Sequence, residues 1–159
     1  VLVGELRDVE TLRMALRAAD TGHQVFATVH SARAAQTVER IIAMFPPAEH
    51  KLLLSQLAHS LEAIISQRLV PTREEGKRRP VVEILRGGPV TEKYIMEGKI
   101  NELSTYLEGG ESGMQSFDQH LLQLYNEKVI TGTEALKFAN RPEALATAMR
   151  GIKYTGQKA

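Results

Sequence analysis

The 159-residue chain contains no cysteine. This excludes disulfides and any thiolate metal site, and it fits a protein kept in a reducing compartment. Long apolar runs are missing too: no uninterrupted stretch approaches the roughly 18–20 residues that cross a bilayer as a helix. Charge of one sign is scarce. Twenty Lys and Arg stand against 19 Asp and Glu, a net charge of +1, so there is no global electrostatic case for nucleic acid or acidic lipid. Internal repeats and low-complexity tracts are absent. So is any glycine-rich phosphate loop of the form G-x-x-x-x-G-K-[ST]. The first residues, Val1-Leu2-Val3, lie inside an apolar run rather than in a Met-led polar leader. No signal peptide is expected, and a piece of a longer protein is.

What is present is ordinary in bulk and specific in detail. An apolar content of 43% and a charged content of 25% suit a globular protein, and the length allows one real core with or without a small appendage. Val1–Val3, closed by Gly4, reads as a buried strand. Asp8 is placed to cap a helix whose inner face is Val9, Leu12, Leu16 and Ala19, with Gly22 ending it. Gln24–Val29 reads as the next strand. A strand, a helix and a strand in about thirty residues make a βαβ unit with a parallel sheet.

Ser31 then stands where it can cap a second helix faced by Ala35, Val38, Ile42 and Phe45, and Pro46-Pro47 stops it. A helical stripe of Leu53, Leu54, Leu57, Leu61, Ile64 and Ile65 runs from Ala48 to about Gln67. Two β-like runs follow, Arg68–Thr72 and Pro80–Leu85, joined by the polar segment 73–79 as a hairpin with a solvated tip. Beyond Gly87-Gly88 the pattern turns to short helices. Ser116 with Gln119 and Thr131 with Glu134 match the capping-box spacing, and Asn140 before Pro142 marks a third start. The expected organisation is a sheet-containing part over residues 1–88 and a helical subdomain over residues 89–159.

The chemistry sits near the start. One apolar run delivers an acid at its end, and a second ends in Thr, His and Ser; this is a common layout of a nucleotide-hydrolysing α/β core. Glu5 lies just past the first strand, on the side where open α/β sheets bind ligands, and a carboxylate there can hold a magnesium-bound water. His30 ends the second strand on the same side and can donate to a γ-phosphate. His23 precedes that strand by seven residues, roughly 23 Å at about 3.3 Å per residue, so both rings cannot touch one phosphate within a subunit. Capping, packing and a contact to a neighbouring subunit stay open for His23. Arg7 reads as an ion-pair partner, and Thr28 as a packing residue more than a ligand. His50, His59 and His120 are isolated and show no metal-ligand spacing. Lys77-Arg78-Arg79, flanked by Glu74 and Glu75 and without interleaved aromatics, reads as a solvated tip rather than a nucleic-acid patch.

Gly4-Glu5-Leu6-Arg7-Asp8 resembles the Walker B segment of the secretion ATPase superfamily, which powers type II secretion and type IV pili. Thr21-Gly22-His23 and Thr28-Val29-His30-Ser31 resemble that family's His box. Gly113 through Tyr125, then Ile130-Thr131 and Glu134-Ala135-Leu136, resemble the C-terminal helices of its PilT-like, twitching-motility branch. The resemblance implies the later half of a RecA-like core (parallel strands plus a hairpin) followed by a helical subdomain, with the N-terminal domain, phosphate loop and upstream acidic box lying outside these residues.

It further implies ATP and Mg2+ as substrate and cofactor, with Glu5 and His30 in catalytic positions. Gly4, Arg7, His23 and Thr28 would lie near the nucleotide or at an interface. A homohexamer is implied, working on the inner-membrane platform of the type IV pilus from the cytoplasmic face, with no nucleic acid and no membrane-spanning segment. These residues alone are expected to be inactive for want of the phosphate loop. One window departs from the branch: Val90–Glu97 replaces two of its usual arginines by Glu92 and Met96. A non-catalytic assembly module and a divergent pilus or type II secretion paralogue are the alternatives.

Overall fold

The computed structural model describes residues 1–151. It is mixed α/β: a parallel strand pair, a hairpin and eight α-helices among the described residues. Two compact units emerge, residues 1–64 with 85–106, and residues 65–84 with 107 onward. This grouping differs from a single cut at residue 88. The helix at Pro89–Met96 and most of the one at Ile100–Gly109 fall with the N-terminal elements, and most of the hairpin falls with the C-terminal helices.

In the first unit, β1 (Leu2–Val3) pairs in parallel with β2 (Phe26–Ala27), Leu2 opposite Phe26 and Val3 opposite Ala27. Between them α1 (Val9–Asp20) starts where Asp8 accepts a hydrogen bond from Thr11 N–H at 2.8 Å, and it buries Leu12, Ala15 and Leu16. Gly22, at φ +85, takes the left-handed step that ends it. The strands are shorter than the apolar runs, and they are not buried: Leu2 is 82% exposed and Phe26 64%. Two residues per strand cannot bury both faces of a parallel ribbon, so the expected buried strand at Val1–Val3 is an open one here.

Helix α2 (Ala34–Ala43) begins at Arg33, and its cap carries no side-chain bond. Ser31, the expected cap, instead spends its hydroxyl on Arg33 O at 3.2 Å. Val38, Ile41 and Phe45 are buried; Ile42 is only half-buried, so the inner face is turned by one residue from the expected stripe. A 3₁₀ turn at Pro47–Glu49 leads into α3 (His50–Ser60). That helix stops seven residues before its apolar stripe does. Leu61 is already extended, at ψ 113, and Ile64-Ile65 continue as strand, where β-branched side chains fit a pleated surface better than a helix turn.

Gly87 explains how the chain passes this point. A Cβ there would stand 2.0 Å from Leu61 O, and its N–H donates to Glu62 O at 2.7 Å. Only glycine permits so close an approach. Helix α4 (Pro89–Met96) packs on α3, burying Thr91 and Ile95 while Val90 and Met96 face outward. His59 of α3 meets Glu92 of α4 at 3.2 Å. Helix α5 (Ile100–Gly109) follows.

The second unit holds most of the hairpin of β3 (Ala63–Pro71) and β4 (Arg78–Arg86), with its tip exposed as expected; β3 starts five residues before the expected run and stops one short of its end, and β4 extends beyond its run on both sides. Its core joins Val70 and Val81 to Phe117, Leu121, Leu124, Ile130, Ala135 and Leu145. These come from α6 (Phe117–Asn126), the turn after it, α7 (Gly132–Phe138) and α8 (Pro142–Met149). The capping box at Ser116 and Gln119 is complete in both directions. At Thr131 only the forward half forms, Glu134 N–H donating to the threonine hydroxyl at 3.2 Å. Asn140 is not the cap of α8; Arg141 is, and Asp118 of α6 accepts from both Asn140 N–H at 2.7 Å and Arg141 N–H at 2.9 Å. A carboxylate from another helix thus anchors the segment leading into α8, whose own cap carries no side-chain bond. His120 is likewise structural: Val82 N–H donates to its Nδ1 at 3.1 Å.

Candidate nucleotide-proximal site

The segment after β1 is tied to the segment after β2 by two bonds. Leu6 N–H donates to Thr28 O at 2.9 Å, and the Thr28 hydroxyl donates to Gly4 O. Thr28 is exposed, so it is a clamp between the two strand ends rather than the packing residue its sequence position suggested. The absence of a side chain at Gly4 leaves open space beside it. Beyond this clamp the chain presents Glu5 and His30 to each other.

Glu5 Oε2 accepts from Arg7 Nε at 2.6 Å, and Oε1 lies 3.1 Å from His30 Nε2. Glu5 is the least exposed member of this trio; its side chain is 22% exposed, against 77% for Arg7 and 79% for His30. The Arg7 hydrogen bond holds the Glu5 carboxyl below the ordinary carboxylate range, against the opposing effect of desolvation, with the neighbouring Arg7, His30 and Arg40 side chains lowering it further. Glu5 is therefore a firmly ionised carboxylate oriented at both oxygens. Arg7 is raised by the same pair. Arg40, on the exposed side of α2, was not singled out from sequence; its helix spacing gave no reason to bring it toward Glu5.

His23 does not join this group. It stands before β2, its N–H donating to Ala18 O at 3.0 Å and its ring 3.1 Å from the Thr21 hydroxyl. Asp8 is a helix cap, its carboxyl kept low mainly by the Thr11 backbone bond. Among the described residues no group of three or more His, Asp or Glu forms a ready metal cage. Glu5 offers an ionised oxygen, the donor type a hard cation such as Mg2+ takes, with both its oxygens already paired to Arg7 and His30.

With this geometry in place, kinship becomes decisive. Residues 1–134 match the family described as Type II/IV secretion system protein, and the chain belongs to that family. It is 42% identical over 147 residues to a twitching motility protein of Neisseria gonorrhoeae, covering 92% of this chain and 39% of that one. It is 40% identical over 141 residues to the type IV pilus ATPase PilU of Pseudomonas aeruginosa, covering 88% and 37%. Among solved structures, the pilus retraction motor PilT with bound ADP aligns with a TM-score of 0.79 at 35% identity, covering 89% of this chain and 40% of that one. The chain thus spans about two fifths of the length of these relatives.

Proposed function

We propose that this chain is the later part of the catalytic domain of a type IV pilus-retraction motor ATPase. The protein would hydrolyse ATP with Mg2+, work as a homohexamer, and act on the pilus platform from the cytoplasmic face of the inner membrane. The observation that carries the catalytic reading is the Glu5 carboxylate held between Arg7 and His30 beyond the ends of two parallel strands. That is where open α/β sheets place ligands. The relatives' names, a twitching motility protein, a pilus ATPase and a retraction motor with ADP, support the class. No helix among the described residues is long and apolar enough to cross a membrane.

Bound Mg2+ supplies charge neutralisation at the phosphates. Glu5 holds and orients a water, and Arg7 keeps that carboxylate ionised and pointed. His30, bonded to Glu5 at Nε2, is positioned to sense charge at the γ-phosphate and pass the change to Glu5. His23, at the other end of β2, fits a role toward a neighbouring subunit. Residues outside this chain would cradle the triphosphate.

The test is Glu5→Gln in the full-length protein. ATP still binds, since volume and hydrogen bonding persist, and turnover falls by about 10²-fold or more. Normal turnover would remove Glu5 from the reading. His30→Ala is expected to lower binding modestly and turnover more. The 159 residues alone should show no magnesium-dependent hydrolysis; measurable activity would overturn that.

A second reading, a divergent paralogue that regulates rather than retracts, is favoured by one segment. In α4 the branch's arginines are Glu92 and Met96, the first paired with His59 and the second facing outward. Replacing both by alanine in the full-length protein should spare ATPase rate and impair motility. Equal loss of both would place α4 in the catalytic machinery, and loss of neither would make it scaffold.

A further inference from the structure

In sequence, Lys77-Arg78-Arg79 stands beside Glu74 and Glu75 and reads as solvated. Arg73, at the start of the same segment, and Lys128, which the fold brings from a distant stretch, add two more cations. Arg73 is pinned at the base of the tip, its backbone N–H donating to Val129 O at 3.0 Å and its Nε to Ile130 O at 3.2 Å. Lys128, in the turn after α6, sits there with φ +61, a left-handed conformation that a lysine adopts at some cost. Together these five side chains line a cleft of about 520 Å3. Glu74 also lines it, but Lys77 pairs with Glu74. Among the described residues no carboxylate pairs with Arg78, Arg79 or Lys128. A chain with a net charge of only +1 has gathered a local cationic hollow from two separate stretches.

We propose that this cleft docks an acidic segment of a partner protein. Arginine forks match carboxylates in bidentate pairs, and Arg73, Arg78 and Arg79 supply three of them around one hollow. No aromatic ring lines it, so a nucleic-acid strand would find no stacking platform. The lining's aliphatic member, Val129, is half-buried, so the cleft has no apolar anchor for a lipid surface. A concave hollow lined by cationic side chains suits a short peptide better than a flat membrane. The site lies apart in sequence from Glu5 and His30, and its role does not depend on the catalytic reading.

The experiment measures fluorescence anisotropy of a labelled alternating Glu-Asp decapeptide with the full chain. Binding is expected, weakening as salt rises. Arg78→Glu with Arg79→Glu, and separately Lys128→Glu, should each weaken it about tenfold or more. Arg78→Ala with Arg79→Ala, a milder change at an exposed tip, should also weaken it while circular dichroism and thermal midpoint stay unchanged, separating lost binding from lost folding. Absence of peptide binding by the unaltered chain overturns the proposal, as does binding that ignores these substitutions. Tip-dependent binding of phosphatidylglycerol vesicles or of a single-stranded DNA dodecamer in preference to the peptide overturns it equally.

Discussion

The C-terminal unit and the β1–β2 end of the N-terminal unit treat their apolar residues in opposite ways. In the first, Phe117, Leu121, Ile130 and Ala135 are fully enclosed, polar side chains cap the helices (Ser116 and Gln119 at α6, Thr131 at α7), and Asp118 anchors the approach to α8. In the second, Leu2 and Phe26 stand mostly in solvent, and the residues that bond firmly are polar: Thr28 to Gly4, Glu5 to Arg7 and His30. The C-terminal helices gain order from packing, whereas the proposed site is held by a few directed bonds between two short strand ends.

The sharpest way to break this contrast is Phe117→Ala. It removes a fully buried ring that also lies 4.0 Å beneath the Arg68 guanidinium, and it should cost about 3–5 kcal/mol in urea denaturation. A loss under 1 kcal/mol would mean the enclosed core is not what stabilises this unit. Next comes Gly87→Ala, in the N-terminal unit, where the Leu61 carbonyl leaves no room for a methyl group; about 1–3 kcal/mol is expected, with faster amide exchange at residues 61–62 and 87. Ser116→Ala should cost about 1 kcal/mol, the usual value of an N-cap.

Acid should act on the N-terminal unit through Glu5 and Asp8. Both have folded-state pKa values below their ordinary ones, so their contribution is present above the unfolded carboxylate range and lost as pH falls through the depressed folded values. Asp8→Asn should flatten that acid-side decline, read by helix circular dichroism against pH. The smallest effect is expected from Phe26→Ser, within about 0.5 kcal/mol, because the ring is already exposed. A large loss there would show that the open ribbon is covered in solution.

Much of this was legible in the residues. Asp8, Gly22, Ser116 and Thr131 act on neighbours three or four positions away, and local spacing encodes such contacts directly. Glu5 and His30 were legible because strand ends bring them together and the motif spacing fits. Arg40 was missed because its influence on Glu5 crosses from a helix face. The strand at Ile64-Ile65 was read as helix because the leucine stripe of α3 runs into it with the same period.

By itself, then, the sequence determined the α/β class, the caps at Asp8, Ser116 and Thr131, the apolar face of α1, and the acid and histidine placed at two strand ends. All of these depend on local spacing and on intrinsic backbone preference. Only the tertiary structure decided where α3 yields to β3, that Gly87 must be glycine, that Asp118 holds the segment before α8, that Thr28 clamps Gly4, and that Lys128 joins Arg73 at the hairpin tip. Each of these depends on two stretches distant in sequence meeting at a fixed separation, and no local period or propensity carries that information.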